Sequence, residues 1–227
     1  MNKLVRAFHT AKGFITLARD PNRLDAVFHL AEQLSDPEDP GLARMLARPA
    51  VREFLARPVE PPLVADLPAL RRLPAGTLGR AFADFLDQRG FDPTGLYHSK
   101  PGDTDVDRFR LHMEHTHDLW HTVTGFDTDP AGELGVQAVT IAQLGSPLGL
   151  LILAAALLNT LVKAQGDADR RMEAITVGWR LGRAARPLFG VPWQELLPLP
   201  LTEVRARLGI TAEQVREAGL EALPAAA

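Results

Sequence analysis

The chain has 227 residues, a formal net charge of −3 and no cysteine. This length suffices for one large domain or two small ones, and 46% hydrophobic against 6% aromatic content indicates an aliphatic core. The lack of cysteine excludes disulfides, thiolate metal sites and cysteine nucleophiles, and the net charge argues against general binding to nucleic acid.

The first nineteen residues form a basic amphipathic segment. They hold four cations and no acid, and four apolar residues fall on one helical face, namely Leu4, Phe8, Ala11 and Ile15. A secretory signal would need a continuous apolar run and a small-residue cleavage site, which this segment lacks. We expect residues 1–19 to dock on the core as an ordinary N-terminal helix or, less commonly, to rest on an anionic membrane.

The rest of the chain reads as helices joined by turns. A helix opens after Asp20-Pro21-Asn22, and two short helices meet at Pro49. Another helix ends at Gly90, and a long one runs from Asp105 to Gly125. An extended connector over 58–68 and a loop over 96–105 separate these elements. No alternating β-branched runs predict a sheet. The sequence therefore predicts an all-α protein with one domain over residues 20–227.

Residues 134–162 contain no charged side chain. Three amides and the helix-breaking triplet Gly145-Ser146-Pro147 interrupt this run, so a membrane span is disfavoured. We interpret the run as two fully buried helices, or as two walls of an apolar pocket.

The stretch HDLWHTVTGFDTDPAGE carries the most specific chemistry. His117 and His121 lie four residues apart on the long helix, so both imidazoles project from one face and can bind one divalent ion. Asp129 and Pro130 are typical of a new helix start, which puts Glu133 on its first turn. Asp118 is either a further ligand or a partner that orients an imidazole. Two histidines and a carboxylate leave coordination positions open, as catalytic sites do.

Three other interpretations use the same residues. The stretch could simply be one helix ending and another beginning, with Glu133 near a cap. A ferritin-like di-iron site would use Glu114 and His117 but needs a second such element, which the sequence lacks. A phosphohydrolase of the HD type would pair His117-Asp118 with an upstream histidine, for which there are three candidates: His98, His112 and His115. We otherwise expect His112 and His115 to be solvated.

The pattern HDxxH, eleven residues, then E resembles the signature of the Coq-four family of ubiquinone biosynthesis proteins. It matches at His117, Asp118, His121 and Glu133, and the HDLWH and GE contexts agree. The likeness continues upstream through DLPALRRLPAGTLGRAFADFL and downstream through Trp179 to RARLGI, covering about residues 20 to 210.

This resemblance implies an all-helical protein that binds zinc or iron through His117, Asp118, His121 and Glu133. It implies a prenylated aromatic precursor as ligand, with oxidative decarboxylation and hydroxylation at ring carbon one. The walls over 134–162 would hold the polyprenyl tail. A lipid-binding organiser without catalysis remains the alternative. Expected partners are other quinone biosynthesis proteins, a membrane surface and a second copy in a homodimer. The expected location is peripheral to the bacterial inner membrane, on its cytoplasmic side, or to the matrix face of the mitochondrial inner membrane.

Overall fold

A computed structural model describes residues 3–21, 23–36, 39–58, 63, 66–91 and 102–219. Over these residues every regular element is a helix, so the all-α prediction is confirmed. The helices are α1 (Lys3–Arg19), α2 (Leu24–Gln33), α3 (Pro40–Leu46), α4 (Pro49–Leu55), α5 (Leu67–Arg71), α6 (Leu78–Arg89), α7 (Asp105–Thr124), α8 (Pro130–Leu144), α9 (Pro147–Lys163), α10 (Ala168–Ala184), α11 (Trp193–Leu196), α12 (Leu201–Leu208) and α13 (Ala212–Ala218). Among them, no helix combines the length and apolar character that crossing a membrane requires.

Helix boundaries follow the predicted local signals. The hydroxyl of Thr77 accepts the Arg80 N–H at the start of α6, and Gly90 ends that helix with φ of +63°. Gly125 ends α7 with φ of +91°, a left-handed conformation that favours glycine. The split before Pro49 is likewise confirmed. The predicted connector over 58–68 and loop over 96–105 lie largely outside the described residues.

The chain divides into two compact units. One comprises the described parts of Met1–Met45, Phe126–Arg183 and Glu217–Ala227, and the other comprises those of Leu46–Gly125 and Ala184–Arg216. The predicted boundary after residue 19 stays a prediction.

In the first unit, α1 packs against α2 and α9. The buried core of this packing is formed by four residues, Leu17, Ala26, Leu30 and Ala155. The amide of Asn159 donates to the Ala18 carbonyl at 3.0 Å, and Lys163 Nζ donates to the Arg19 carbonyl at 2.9 Å. The predicted docking of α1 on the core is therefore observed, but through the face of Leu17 and not through the stripe that begins at Leu4.

The charge-free run forms most of α8 and nearly all of α9, with the predicted break at Gly145-Ser146. Most of α8 is buried, as predicted. The prediction that both helices are fully buried is wrong for α9, because one of its faces lies in solvent. That face exposes Leu150, Leu157, Leu158, Leu161 and Val162. Because this helix is apolar on all sides, its sequence does not indicate which face packs against the protein and which face is exposed.

Two glycines let α8 and α10 cross closely. A Cβ atom built on Gly178 would lie 2.2 Å from the Gly135 carbonyl oxygen, and one on Gly182 would lie 2.9 Å from the Val139 Cα. Side chains at these positions would force the helices apart, so glycine here sets their separation.

A buried guanidinium ties α10 to α9. Arg171 is 5% exposed, and its Nη1 donates to Asn159 Oδ1 at 3.1 Å and to Thr160 Oγ1 at 2.9 Å. Its Nε donates to Asp167 at 2.8 Å. The polar residue Asn159, which argued against a membrane span, thus bonds to both α1 and α10.

In the second unit, α7 packs on α4, α6 and α12. His112 accepts the Gly190 N–H at 3.0 Å, and its ring lies against Phe54 and Phe189. His115 is 7% exposed, with Nδ1 2.6 Å from the Leu63 carbonyl oxygen. The prediction that both histidines are solvated is therefore wrong, because the α7 faces that carry them pack inside this unit.

Burial lowers the pKa of His112 from 6.5 to about 4, with smaller contributions from Arg57 and His115. A group with a depressed folded-state pKa binds fewer protons in the folded than in the unfolded chain. The free energy of unfolding should therefore fall as the pH drops through the window between those two values.

We predict that this histidine weakens the fold on acidification by about 3 kcal/mol between pH of about 6.5 and 4. His112→Gln keeps an acceptor for the Gly190 N–H and removes the titration. Urea unfolding across this range should show a shallower pH dependence for the variant. The lost ring contacts with Phe54 and Phe189 add an offset that does not change with pH. Identical slopes would contradict the assignment.

We also predict that Gly178→Ala destabilises the protein by about 1–3 kcal/mol. The new methyl group would collide with the α8 backbone at Gly135, and that backbone can move only together with the rest of the helix. Gly166→Ala is the matched control, since a Cβ there has no neighbour within 4 Å. Its change in the free energy of unfolding should stay within about 0.5 kcal/mol in the same urea titration. Equal effects of the two variants would refute the close crossing.

Candidate metal centre

The two histidines of the HDxxH motif face each other on α7. The Nε2 atoms of His117 and His121 are 3.2 Å apart, and their rings are nearly perpendicular, at 84°. His121 is 1% exposed and stacks on Phe85 of α6 with 5.8 Å between ring centroids, whereas His117 is half-buried. One imidazole is thus held by packing, and the other reaches toward the surface.

This spacing suits a shared cation. Two nitrogens bound at about 2.0–2.1 Å to one tetrahedral ion lie about 3.3 Å apart, close to the observed separation of the Nε2 atoms. Phe85 lies on α6, far from His121 in the sequence. Its stacking on His121 is a role that one-dimensional spacing does not reveal.

Glu133 lies on the first turn of α8, as predicted. Asp129 caps the helix by accepting the Gly132 N–H at 2.9 Å, Pro130 follows, and the Glu133 N–H donates to the Asp129 carbonyl at 2.9 Å. The other carboxylate oxygen of Asp129 pairs with Arg170. The start of the helix is therefore tied both to its own backbone and to α10.

Two glycines flank Glu133 and let the preceding turn fold over the helix. A Cβ on Gly132 would lie 2.0 Å from the Asp127 carbonyl oxygen, and one on Gly135 would lie 2.3 Å from the Phe126 ring. The GE context belongs to the motif, but no role was predicted for these glycines. The spacing G-E-x-G is the signal that could have indicated a close backbone approach.

His117, His121 and Glu133 could hold a metal ion, since each offers one ligand atom and these atoms lie within 4.8 Å of one another. The set of two imidazoles and one carboxylate suits zinc and iron alike. Asp118 is half-buried and is not among these three, so its predicted role stays a prediction.

Concave regions occur in the described part of the first unit. A cavity of about 50 Å³ is lined by Glu133, Leu134, Ile152 and Arg171 together with other residues of α1, α2 and α9. A wider open groove of about 650 Å³ lies along α1 and α2 and includes Leu151. The small cavity has room for one or two waters. The expectation that the walls over 134–162 hold a polyprenyl tail therefore stays a prediction.

The phosphohydrolase alternative depends on an upstream histidine. His112 and His115 each have one ring nitrogen bonded to a backbone group inside the second unit. The remaining candidate, His98, lies outside the described residues. No observation on the described histidines favours this alternative.

Comparison with known proteins identifies the family. The sequence profile described as coenzyme Q (ubiquinone) biosynthesis protein Coq4 matches residues 1–214. The chain is 31% identical to the mitochondrial ubiquinone biosynthesis protein COQ4 of Arthroderma otae over 84% of this chain and 72% of that protein. It is also 31% identical to the mitochondrial coq4 of Aspergillus fumigatus, over 84% and 67% of the respective lengths.

The fold agrees with a solved relative. A crystal structure from Nostoc punctiforme PCC 73102, described as a ubiquinone biosynthesis protein, superposes with a TM-score of 0.77 and 25% identity. The match covers 91% of this chain and 99% of that one. The resemblance carried by HDxxH and Glu133 is thereby confirmed, and the chain belongs to the Coq4 family of coenzyme Q (ubiquinone) biosynthesis proteins.

Proposed function

We propose that this ubiquinone biosynthesis protein binds the head group of a prenylated aromatic acid at a single metal ion held by His117, His121 and Glu133. The observation that carries the proposal is the convergence of these three ligand atoms. Three protein ligands leave coordination positions for a substrate oxygen, which distinguishes such a site from a closed structural one. When bound, the ion supplies Lewis acidity and, if it is iron, a site for oxygen chemistry.

The chain's own residues hold and orient the head group. Stacking on Phe85 and near-complete burial fix the imidazole of His121. His117 is the more exposed of the two imidazoles. Asp118 orients one imidazole or joins the ligand set.

The proposed reaction acts at ring carbon one of the aromatic acid. The bond from the ring to the carboxyl carbon breaks, carbon dioxide leaves, and a hydroxyl group takes its place. This replacement is a two-electron oxidation. It balances when dioxygen takes up the two electrons and leaves as hydrogen peroxide, while water supplies the oxygen of the new hydroxyl group. Because the reacting ring is attached to a long apolar chain, the apolar surfaces of the first unit are suited to hold that chain.

A non-catalytic organiser is the second candidate, favoured by the exposed apolar face of α9. Such a face could present a lipid-soluble intermediate to other quinone biosynthesis proteins, which we expect as partners. Both candidates place the protein at the membrane that holds its lipid-soluble precursors. That membrane is the inner membrane of a bacterium, reached from the cytoplasm, or the mitochondrial inner membrane, reached from the matrix.

We predict that purified wild-type protein binds one divalent ion per chain and that Glu133→Gln and His121→Ala lower this content at least tenfold. Removing either ligand leaves two donors, which hold zinc or iron weakly. Elemental analysis measures the metal content of each protein. Thermal unfolding with added metal is an independent check, because a metal that binds only the folded state raises Tm. His9→Ala, on α1, is the control and should keep the wild-type content. Wild-type protein that takes up no ion under any loading condition would refute the site.

We further predict that the same two variants abolish ubiquinone production in a strain that depends on this chain, with accumulation of the carboxylated precursor. Mass spectrometry of extracted lipids measures both compounds. Incubation of metal-loaded protein with the prenylated acid and dioxygen then separates the two candidates. Release of carbon dioxide together with a hydroxylated product supports catalysis. If the wild-type chain restores ubiquinone production in the strain but the purified reaction yields no product, the result supports the organiser.

A further inference from the structure

Arg171 is a buried cation whose hydrogen-bonding capacity is only partly used. A guanidinium carries five N–H donors, and this one belongs to a side chain that is almost wholly buried. Its Nε donates to Asp167, and its Nη1 donates to Asn159 and to Thr160. Among the residues that the structure describes, the two N–H groups of Nη2 have no acceptor. Buried donors without a partner are costly, so the surroundings of this guanidinium should supply one.

Arg171 lines the small cavity of the first unit. This cavity has a volume of about 50 Å³, and in the described part of the chain its lining holds two charged side chains, those of Arg171 and Glu133. The other lining residues are apolar, among them Leu134, Ile152 and Ala156. The cavity therefore brings a cation with unused donors into the same small space as a candidate metal ligand.

The two charged side chains do not form a direct ion pair. The carboxylate within 4.0 Å of the Arg171 guanidinium, among the described residues, is that of Asp167. A water needs about 10–15 Å³ and two to four polar partners. The cavity exceeds that volume, Nη2 of Arg171 offers two donors, and the carboxylate of Glu133 offers acceptors. The space is therefore suited to a water that bridges the two charges.

The guanidinium is held in place by a chain of alternating charges that reaches the start of α8. One carboxylate oxygen of Asp167 accepts from Arg171, and the other lies 3.8 Å from Arg170 Nη1. Arg170 pairs in turn with Asp129, the residue that caps α8. Glu133 lies four residues after this cap, so the chain of charges meets the first turn of α8 at one end and the cavity at the other.

A purely structural role accounts for only part of this arrangement. The bonds that join α10 to α9 use Nη1 of Arg171, with Asn159 and Thr160 as acceptors. Nε is used within the start of α10 and the turn before it, by Asp167. Neither set of bonds involves Nη2 or explains why this cation lines the same cavity as Glu133.

We propose that Arg171 is a positioning residue for Glu133 and acts through a water in the cavity. The water accepts from Nη2 of Arg171 and donates to the carboxylate oxygen of Glu133 that does not bind the ion. This contact holds the carboxylate in one orientation, with a single oxygen for the ion, and so keeps coordination positions open. The inference rests on the proposed metal site, because it gives Arg171 a role toward one ligand of that site.

Zinc affinity, measured on the full chain against a competing chelator, tests this role. We expect Arg171→Met to weaken zinc binding by about 10–100-fold, as the loss of partners that orient a ligand generally does. Arg171→Lys keeps the charge and should recover part of the loss. Arg183→Met is the matched control, since Arg183 is an exposed arginine on the same helix, and it should bind zinc as the wild type does.

Filling the cavity provides a second variant that keeps every charge. Ala156 is buried and lines the cavity, so Ala156→Val should displace the water while the protein bonds of Arg171 remain. We expect zinc affinity to fall at least about fivefold. Ala154→Val makes the same chemical change at an exposed position of α9 and should leave the affinity within about twofold of the wild-type value.

Cobalt(II) in place of zinc gives a readout that a loss of stability does not change. Its visible absorption depends on the number and geometry of its ligands, because both determine the splitting of its d orbitals. At saturating cobalt, Arg171→Met and Ala156→Val should each give a spectrum that differs from that of the wild type. Ala154→Val should give the wild-type spectrum.

A measurement on the metal-free chain separates this inference from the metal site. A double-mutant cycle of Arg171→Met and Glu133→Gln in urea unfolding isolates the interaction between the two side chains. We expect the unfolding equilibrium constants to depart from additivity at least about threefold. If Arg171→Met does not fold, Ala156→Val takes its place in the cycle. A wild type that takes up no ion would refute the proposed function, while the cycle would still decide whether Arg171 acts on Glu133.

Two results would overturn the role of Arg171. One is additivity in the double-mutant cycle. The other is a wild type that binds zinc, together with Arg171→Met and Ala156→Val variants whose zinc affinity and cobalt spectra equal those of the wild type. The second result would leave the metal site intact and limit Arg171 to joining α9 and α10.

Discussion

The tight turn before Glu133 is the constraint on which the candidate metal site depends. Phe126 folds its ring onto the backbone of Gly135, and the Asp127 carbonyl lies where a side chain at position 132 would have to be. Asp129 then begins α8 by capping it and by pairing with Arg170. The carboxylate on the first turn of α8 is placed by these backbone contacts. Residues with no proposed ligand role therefore determine the position of the Glu133 carboxylate.

The helices and the site could be predicted from sequence where the determining signal is local. Capping residues, the proline at a first turn and left-handed glycines act within four residues, so the ends of α6 and α7 were predictable. The pairing of His117 with His121 follows from helical spacing alone. The position of Glu133 on the first turn of α8 could be predicted because Asp129 and Pro130 indicate where that helix begins.

The orientation of apolar faces could not be predicted, because it depends on what packs against them. Helix α1 has apolar residues on both sides, and periodicity alone does not tell which side meets the core. Leu17 is buried, while Phe8 is exposed. The same reasoning applies in reverse to His112, a polar side chain whose neighbours come from distant parts of the second unit. Its environment of Phe54, Phe189 and the Gly190 N–H is a tertiary property.

Gly135 is touched from two sides, by the Phe126 ring and by the backbone of α10 at Gly178. A bulkier residue at position 178 would push on the same turn of α8 that carries Glu133, although α10 contributes none of the three candidate ligands. A substitution there would therefore disturb the candidate ligand set from a distance, through the backbone of α8, with none of the three side chains removed.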